Sequence, residues 1–479
     1  MSPDPSTVAA TPTGPRADLS TELTAGGPVF LGEAAAPDLA AHGYEQHEYV
    51  ASGTASSYVS TQSELPADGR YELVEDQTAA YRTRVLVRRP SRADDSNGTV
   101  VVEWLNVSGG VDAGPDFTTM SEELLRSGST WVGVSAQKIG VEGGPVAVRV
   151  QDTGSEVAGK GLKGIDPERY RSLSHPGDPF AYDIYSQVGR ALRDPANAEV
   201  LGDASPETLI AVGESQSAVL LTTYVNGVQP LAEVYDGFII HSRFAAGAPV
   251  PTTTTSEPPG QEIDIASSMG GRATAIRTDQ PWPVLVVQTE NDMTSVVGYH
   301  QARQHDTDRF RRWEIAGTAH ADRRLVGPNA DSIDCGIAIN DGPQHFVVKA
   351  ALRAMDTWIR TGQAPPVADE LQIDDSTGSA QIVRDPDGIA LGGVRTPLVD
   401  VPVDVLSGNP GPNPSIICLL LGSTSPLPPE RLAELHESRA DYLERFDASL
   451  DQAIDAGFVL EEDRQELLDM AQPDRIPTS

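Results

Sequence analysis

LIAVGESQSAVLLTTYV, residues 209–225, decides the fold. Its first four residues form a short apolar run without alternation, the pattern of a strand buried on both faces. From Gln216 onward the spacing predicts a helix. Between the two lies Gly213-Glu214-Ser215-Gln216-Ser217, a tight strand-to-helix turn with small residues two places to either side of Ser215. That arrangement lifts a serine oxygen above the carboxyl edge of a sheet, because small neighbours let strand and helix approach each other closely. The usual pattern is GxSxG, and here Ser217 stands in its last position. The competing reading makes Ser215 a buried turn serine that caps the helix.

Working outward, similar unalternating runs at 99–105, 130–135, 234–240 and 284–288 read as further strands of a parallel sheet covered by helices, and helix-like stretches at 180–192 and 344–361 supply the cover. Segments 44–58 and 81–87 alternate with period two and read as antiparallel strands. The fold class is therefore α/β, with a mostly parallel central sheet flanked by helices. Residues 1–28, rich in Pro, Thr, Ala and Gly, read as a flexible arm, and 29–366 as the core. Two Gly/Pro/Thr/Ser-rich interruptions, 139–178 and 242–278, are too long for ordinary connections and read as lid-like insertions over a site. The remainder, 367–479, reads as an extension packed on the core, with a hairpin around 385–388 and helices at about 429–456 and 461–471. The first of these helices carries the apolar stripe Tyr442, Phe446, Leu450 and Ile454.

Downstream of the serine, the run at 284–288 ends in Thr289-Glu290-Asn291-Asp292, which offers two carboxylates. Residues 311–315 read as the next strand, followed by Ala316-Gly317-Thr318-Ala319-His320. A serine, an acid and a histidine in this order, each in the turn after a strand, are the parts of a proton-relaying nucleophile. Asp292, four residues beyond the strand end, is the preferred acid, and Glu290 is the alternative. His320 is preferred as base over His241, which precedes the acid in the chain, and His345 reads as structural. An acyl-transfer site also needs amide donors for a developing oxyanion. The amide of Gln216 is one, and that of Val107 or Ser108, in the turn Asn106-Val107-Ser108-Gly109-Gly110, is the other. Asn106 and His241 are candidates for the pocket wall. A second string of similar form, Gly133-Val134-Ser135-Ala136-Gln137, makes Ser135 a rival nucleophile.

Composition narrows the partners. The 479 residues carry 35 Lys+Arg against 69 Asp+Glu, a net charge of −34 with no basic stripe. Nucleic acid and anionic membranes are thereby disfavoured. No glycine-rich dinucleotide turn follows an early strand, the two cysteines lack zinc-site spacing, and Asp331, Asp334 and Asp341 lack the spacing of a calcium loop, so neither cofactor nor metal is expected. Cys335 and Cys418 are read as two buried thiols in preference to a bridge. No signal peptide is evident, so the expected location is cytoplasmic, with secretion of a longer precursor left open.

The segments VVEWLNVSGG, WVGVSAQKIGV, YDIYSQVGRALR, IAVGESQSA, VVQTENDM, AGTAHAD, NDGPQHFVVKAALRAMDTWIRTGQAPP and ALGGVRTPLVDVP together resemble a bacterial, esterase-like family of α/β-hydrolase-domain proteins, over about residues 29–472. The resemblance implies the α/β-hydrolase fold and, at the matching positions, Ser215, the 289–292 acid loop and His320 as triad. The expected function is a serine hydrolase that cleaves a carboxylic ester or lactone, a small-molecule substrate, through an acyl-enzyme. The alternatives are an amidase or peptidase on the same triad, or a non-catalytic binding protein on a hydrolase scaffold.

Overall fold

The computed structural model describes residues 13–24, 27, 29–30, 36–149, 157–255, 259–263, 265–294 and 296–477. Its centre is a nine-stranded sheet in the order β1-β2-β3-β5-β4-β6-β7-β8-β9. Three strands, β1 (Asp18–Glu22), β2 (Tyr44–Ser60) and β3 (Leu73–Pro90), form an antiparallel flank. The other six, β4 (Thr99–Trp104), β5 (Thr130–Val134), β6 (Thr208–Glu214), β7 (Gly237–His241), β8 (Val284–Thr289) and β9 (Phe310–Ile315), run parallel to one another. Every residue of β4 to β8 is buried, as the unalternating runs require.

Helices α1 (Pro115–Ser127) and α4 (Gln344–Thr361) cover one face, around Phe117, Trp131, Trp313 and Trp358. Helices α2 (Ala181–Leu192) and α3 (Gln216–Thr223) cover the other, where Tyr185, Tyr224, Tyr235 and Phe238 stack edge to face. From β4 the sheet grows to one side through β5 and to the other through β6. The carboxyl ends of β4 and β6 therefore flank a topological switch point, where a crevice opens in sheets of this kind.

Several expectations need correction. The supposed flexible arm contains β1, whose residues Asp18, Thr21 and Glu22 pair with Ser52, Val50 and Tyr49 of the sheet edge; residues 1–12, 25–26 and 28 of that segment lie outside the described residues. The helix expected at 429–456 is two, Pro429–Leu435 and α5 (Arg439–Asp455), because the Ser438 hydroxyl accepts the Asp441 amide at 3.1 Å and so begins a new helix. The expected stripe does face inward: Tyr442 and Phe446 pack on Val401, Val403 and Leu432, and Leu450 packs on Phe346 of α4.

Cys335 and Cys418 form a disulfide, with Cα atoms 5.4 Å apart, where two thiols were expected. The fold lays the loop after β9 on the short helix Ile416–Leu420, and both sulfurs sit in one small cluster with Ala330, Ile339, Ile417 and Leu421. A bridge of this kind persists in an oxidising environment. Among the described residues no helix is long and apolar enough to cross a membrane.

The extension is tied to the core by charge as well. The fully buried Lys349 of α4 places its ammonium 2.5 Å from Glu122, 3.0 Å from Asp463 and 3.3 Å from Glu466. These three carboxylates form a cluster that could hold a metal ion, but the lysine already supplies the cation. The two insertions are joined to each other. Asp178 accepts the amides of Lys138 (2.7 Å) and Ile263 (3.1 Å), and the Lys138 ammonium meets Glu262 at 3.2 Å.

Candidate active site

Ser215 sits between β6 and α3 with φ 59° and ψ −118°, a conformation that costs a residue with a side chain on the order of 1 kcal/mol or more. The surroundings enforce it. The Ser215 amide donates to the His241 carbonyl at 3.0 Å. A Cβ on Gly213 would lie 2.9 Å from Leu221 Cδ1 and 3.0 Å from Ser217 Cβ, so strand and helix pass each other too closely for a larger residue. Within Ala211–Leu220 only Ser215 is more than marginally exposed. The turn delivers one hydroxyl to the surface and buries everything around it.

His320, in the loop after β9, and Asp292, after β8, converge on that hydroxyl. His320 Nε2 lies 2.7 Å from Ser215 Oγ, and His320 Nδ1 lies 2.6 Å from Asp292 Oδ1. The other Asp292 oxygen accepts the Thr289 amide at 2.8 Å, which fixes the carboxylate plane. Burial alone would raise the Asp292 pKa, but the His320 charge and hydrogen bond, helped by Thr289, hold it below the ordinary aspartate value. Burial alone would lower His320; Asp292 and then Glu214 outweigh it and raise the imidazole to about 9.

Glu290 is not near the imidazole. Its carboxylate accepts the amides of Gly317 and Gly408, each at 2.9 Å, and pairs with Arg384, so it fastens the histidine loop and the acid loop to the extension. His241 is sealed beneath the turn, 1 % exposed, with Nδ1 2.9 Å from Asp116 and Nε2 2.9 Å from the Gln344 amide. Strand alternation points it at α1 and α4, which corrects its assignment to a pocket wall. His345 is buried and neutral-leaning, its pKa lowered to about 4 by burial, in keeping with a structural role. Ser135 is buried with Asp112 and Arg84 and meets no imidazole.

The turn after β4 reaches the same place. Asn106 Nδ2 donates to the Glu214 carbonyl at 3.1 Å, and Asn106 Oδ1 accepts the Ser108 amide at 2.8 Å. The Val107 amide donates to Gln216 Oε1 at 3.1 Å. Ser108's N–H is thus spent within its own turn, whereas Val107's points at the residue that follows Ser215. The Gln216 amide, at the first position of α3, has no acceptor within its helix.

Glu214 escaped the sequence reading. It is buried, with Oε1 3.4 Å from His320 Nε2 and Oε2 3.5 Å from Asn106 Nδ2. Burial pushes its carboxyl up to about 7, against the lowering pull of His320 and His241. The available signal was a carboxylate directly before the serine, in a pattern position that makes no demand of its own.

A family model described as an alpha/beta hydrolase domain matches residues 12–469. No curated protein matches the chain closely enough to count as a relative. Similar solved structures include a fungal esterase from Rhizomucor miehei (11 % identity, TM-score 0.33, covering 65 % of this chain and 85 % of that one). A glucuronoyl esterase from Solibacter usitatus is 10 % identical with TM-score 0.28, covering 64 % and 82 %. An α/β serine hydrolase without a lid from Xanthomonas campestris is 14 % identical with TM-score 0.25, covering 49 % and 78 %. With its family model spanning nearly the whole length, the chain belongs to the alpha/beta hydrolase domain family.

Proposed function

We propose that the protein is a serine hydrolase that cleaves a carboxylic ester or lactone through an acyl-enzyme on Ser215, His320 and Asp292. The observation that carries this reading is the unbroken relay from Ser215 Oγ to His320 (2.7 Å) to Asp292 (2.6 Å), mounted on a turn whose only exposed polar group is the serine. Ser215 attacks the acyl carbon as its proton passes to His320 Nε2, and Asp292 keeps Nδ1 protonated and stabilises the imidazolium. The tetrahedral oxyanion is held by the amides of Gln216 and Val107, with Gln216 Oε1 giving way to the incoming oxygen. His320 then protonates the leaving alkoxide, and water activated by the same imidazole releases the acid. The joined insertions, meeting at Asp178, would bound the acyl or alcohol pocket.

The test is hydrolysis of p-nitrophenyl esters of increasing acyl length, aromatic lactones and anilides by the purified protein. Turnover of esters or lactones, lost in Ser215→Ala, supports the reading. Cleavage of anilides at comparable rates assigns amide chemistry instead, and no turnover by a protein that also fails to react with a fluorophosphonate leaves only a binding role.

A further inference from the structure

The relay accounts for one carboxylate, yet the structure brings two to the imidazole. Asp292 takes Nδ1; Glu214 faces Nε2, the nitrogen that Ser215 shares, at 3.4 Å. Glu214 is 4 % exposed, and among the described residues its other donor is the Asn106 side-chain amide at 3.5 Å. A buried carboxylate with so few donors is costly unless a cation compensates it, and the cation within reach is a protonated His320.

We propose that Glu214 is a positioning residue for the Ser215–His320 pair: its carboxylate, steadied by Asn106, stabilises the imidazolium that forms as the serine is deprotonated. This inference rests on the serine-hydrolase reading. Glu214 takes no proton in the step; the proton leaves Ser215 Oγ, resides on His320 Nε2 between the two oxygens, and goes on to the leaving group. Because Glu214 and His320 are both buried, the attraction is weakly screened.

The groups facing Glu214 from the packed elements are His241 of β7, Asp116 of α1, and Asp292 and His320 of the loops after β8 and β9; the two carboxylates oppose its ionisation and the two imidazoles favour it. Asp116 is itself paired with His241 at 2.9 Å, so His320 is the imidazole left to Glu214.

The test compares the pH dependence of kcat/KM on one activated p-nitrophenyl ester for the wild type, Glu214→Gln and Glu214→Asp, with fluorophosphonate labelling and thermal unfolding run alongside. Glu214→Gln removes a negative charge beside the imidazolium, so His320 loses its proton more readily and the ascending limb moves to lower pH by about one unit or more. The plateau kcat falls about tenfold while KM changes little. In Glu214→Asp, which stays charged but retracts by one methylene, both effects shrink, and this variant carries the test if Glu214→Gln does not fold. A labelled, folded variant whose limb coincides with the wild type overturns the role of Glu214 alone. A wild-type protein that takes no label at Ser215 overturns the hydrolase reading and this inference with it.

Discussion

The serine turn and the two loops that meet it are held in different ways. Around Ser215 the backbone determinants are mostly local: Gly213, Ser217 and Leu221 force the close passage of strand and helix, and the neighbouring strands add the His241 carbonyl on the Ser215 amide and the Asn106 side-chain amide on the Glu214 carbonyl. The acid and base loops depend on the far end of the chain. The Asn291 side-chain amide, beside Asp292, donates to the carbonyls of Gly408 (2.6 Å) and Leu419 (3.1 Å). Asn340 gathers the carbonyls of Gly317 and Ser407, and Ala321, next to His320, donates to Leu420 at 3.0 Å. The lesson is a division of labour. The strained serine turn comes mostly from its own neighbours, whereas the loops carrying Asp292 and His320 are set by an extension roughly a hundred residues away.

The sharpest way to probe the second region is to damage its chemistry without its bracing. Asp292→Asn should lower turnover by about 10³ to 10⁴ with the fold intact, since the neutral amide no longer secures the correct imidazole tautomer. Ester kinetics with circular dichroism measure this, and a loss under tenfold would remove Asp292 from the relay. Bracing without chemistry is tested by replacing both Cys335 and Cys418 with alanine. The bridge spans 83 residues, for which loop closure gives about 4 to 5 kcal/mol of stability. Urea unfolding should show most of that loss, and an unchanged midpoint would mean that the cross-link braces nothing.

Glu290→Gln should do less to chemistry, about a tenfold fall in turnover, with about 1 to 3 kcal/mol of stability lost as Arg384 loses its partner charge. A fall as large as that of Asp292→Asn would move the acid role to Glu290. The smallest effect is a change of conditions. The neutral imidazole is the form that accepts the serine proton, so kcat/KM should rise with pH towards about 9, where the raised His320 gives up its proton. A limb centred at the ordinary histidine value would contradict the charge balance of the site.

What could be read from the sequence follows the same division. The turn at 213–217 and the boundaries of α4 were legible because their causes lie within a few residues: small neighbours at the turn, and Gly362 with Pro365 and Pro366 as a stop. That Asp292 rather than Glu290 meets His320 follows from a local count, its distance from the end of β8. The Cys335–Cys418 bridge was not legible, since two thiols 83 residues apart meet only when the loop after β9 folds on the extension. The edge strand Asp18–Glu22 hid in a polar segment because Leu19 alone of its residues is buried, and its pairing is with the open side of β2. Glu214 was passed over for a third reason: its meaning arises only when His320 arrives from a hundred residues downstream.

The central claim, that Ser215 is the nucleophile, is tested most directly by intact-protein mass spectrometry with peptide mapping after exposure to a fluorophosphonate. The account predicts one adduct per chain, mapped to the peptide that carries Ser215, abolished in Ser215→Ala and slowed by orders of magnitude in His320→Ala. An adduct on Ser135, or labelling that persists in Ser215→Ala, would contradict it.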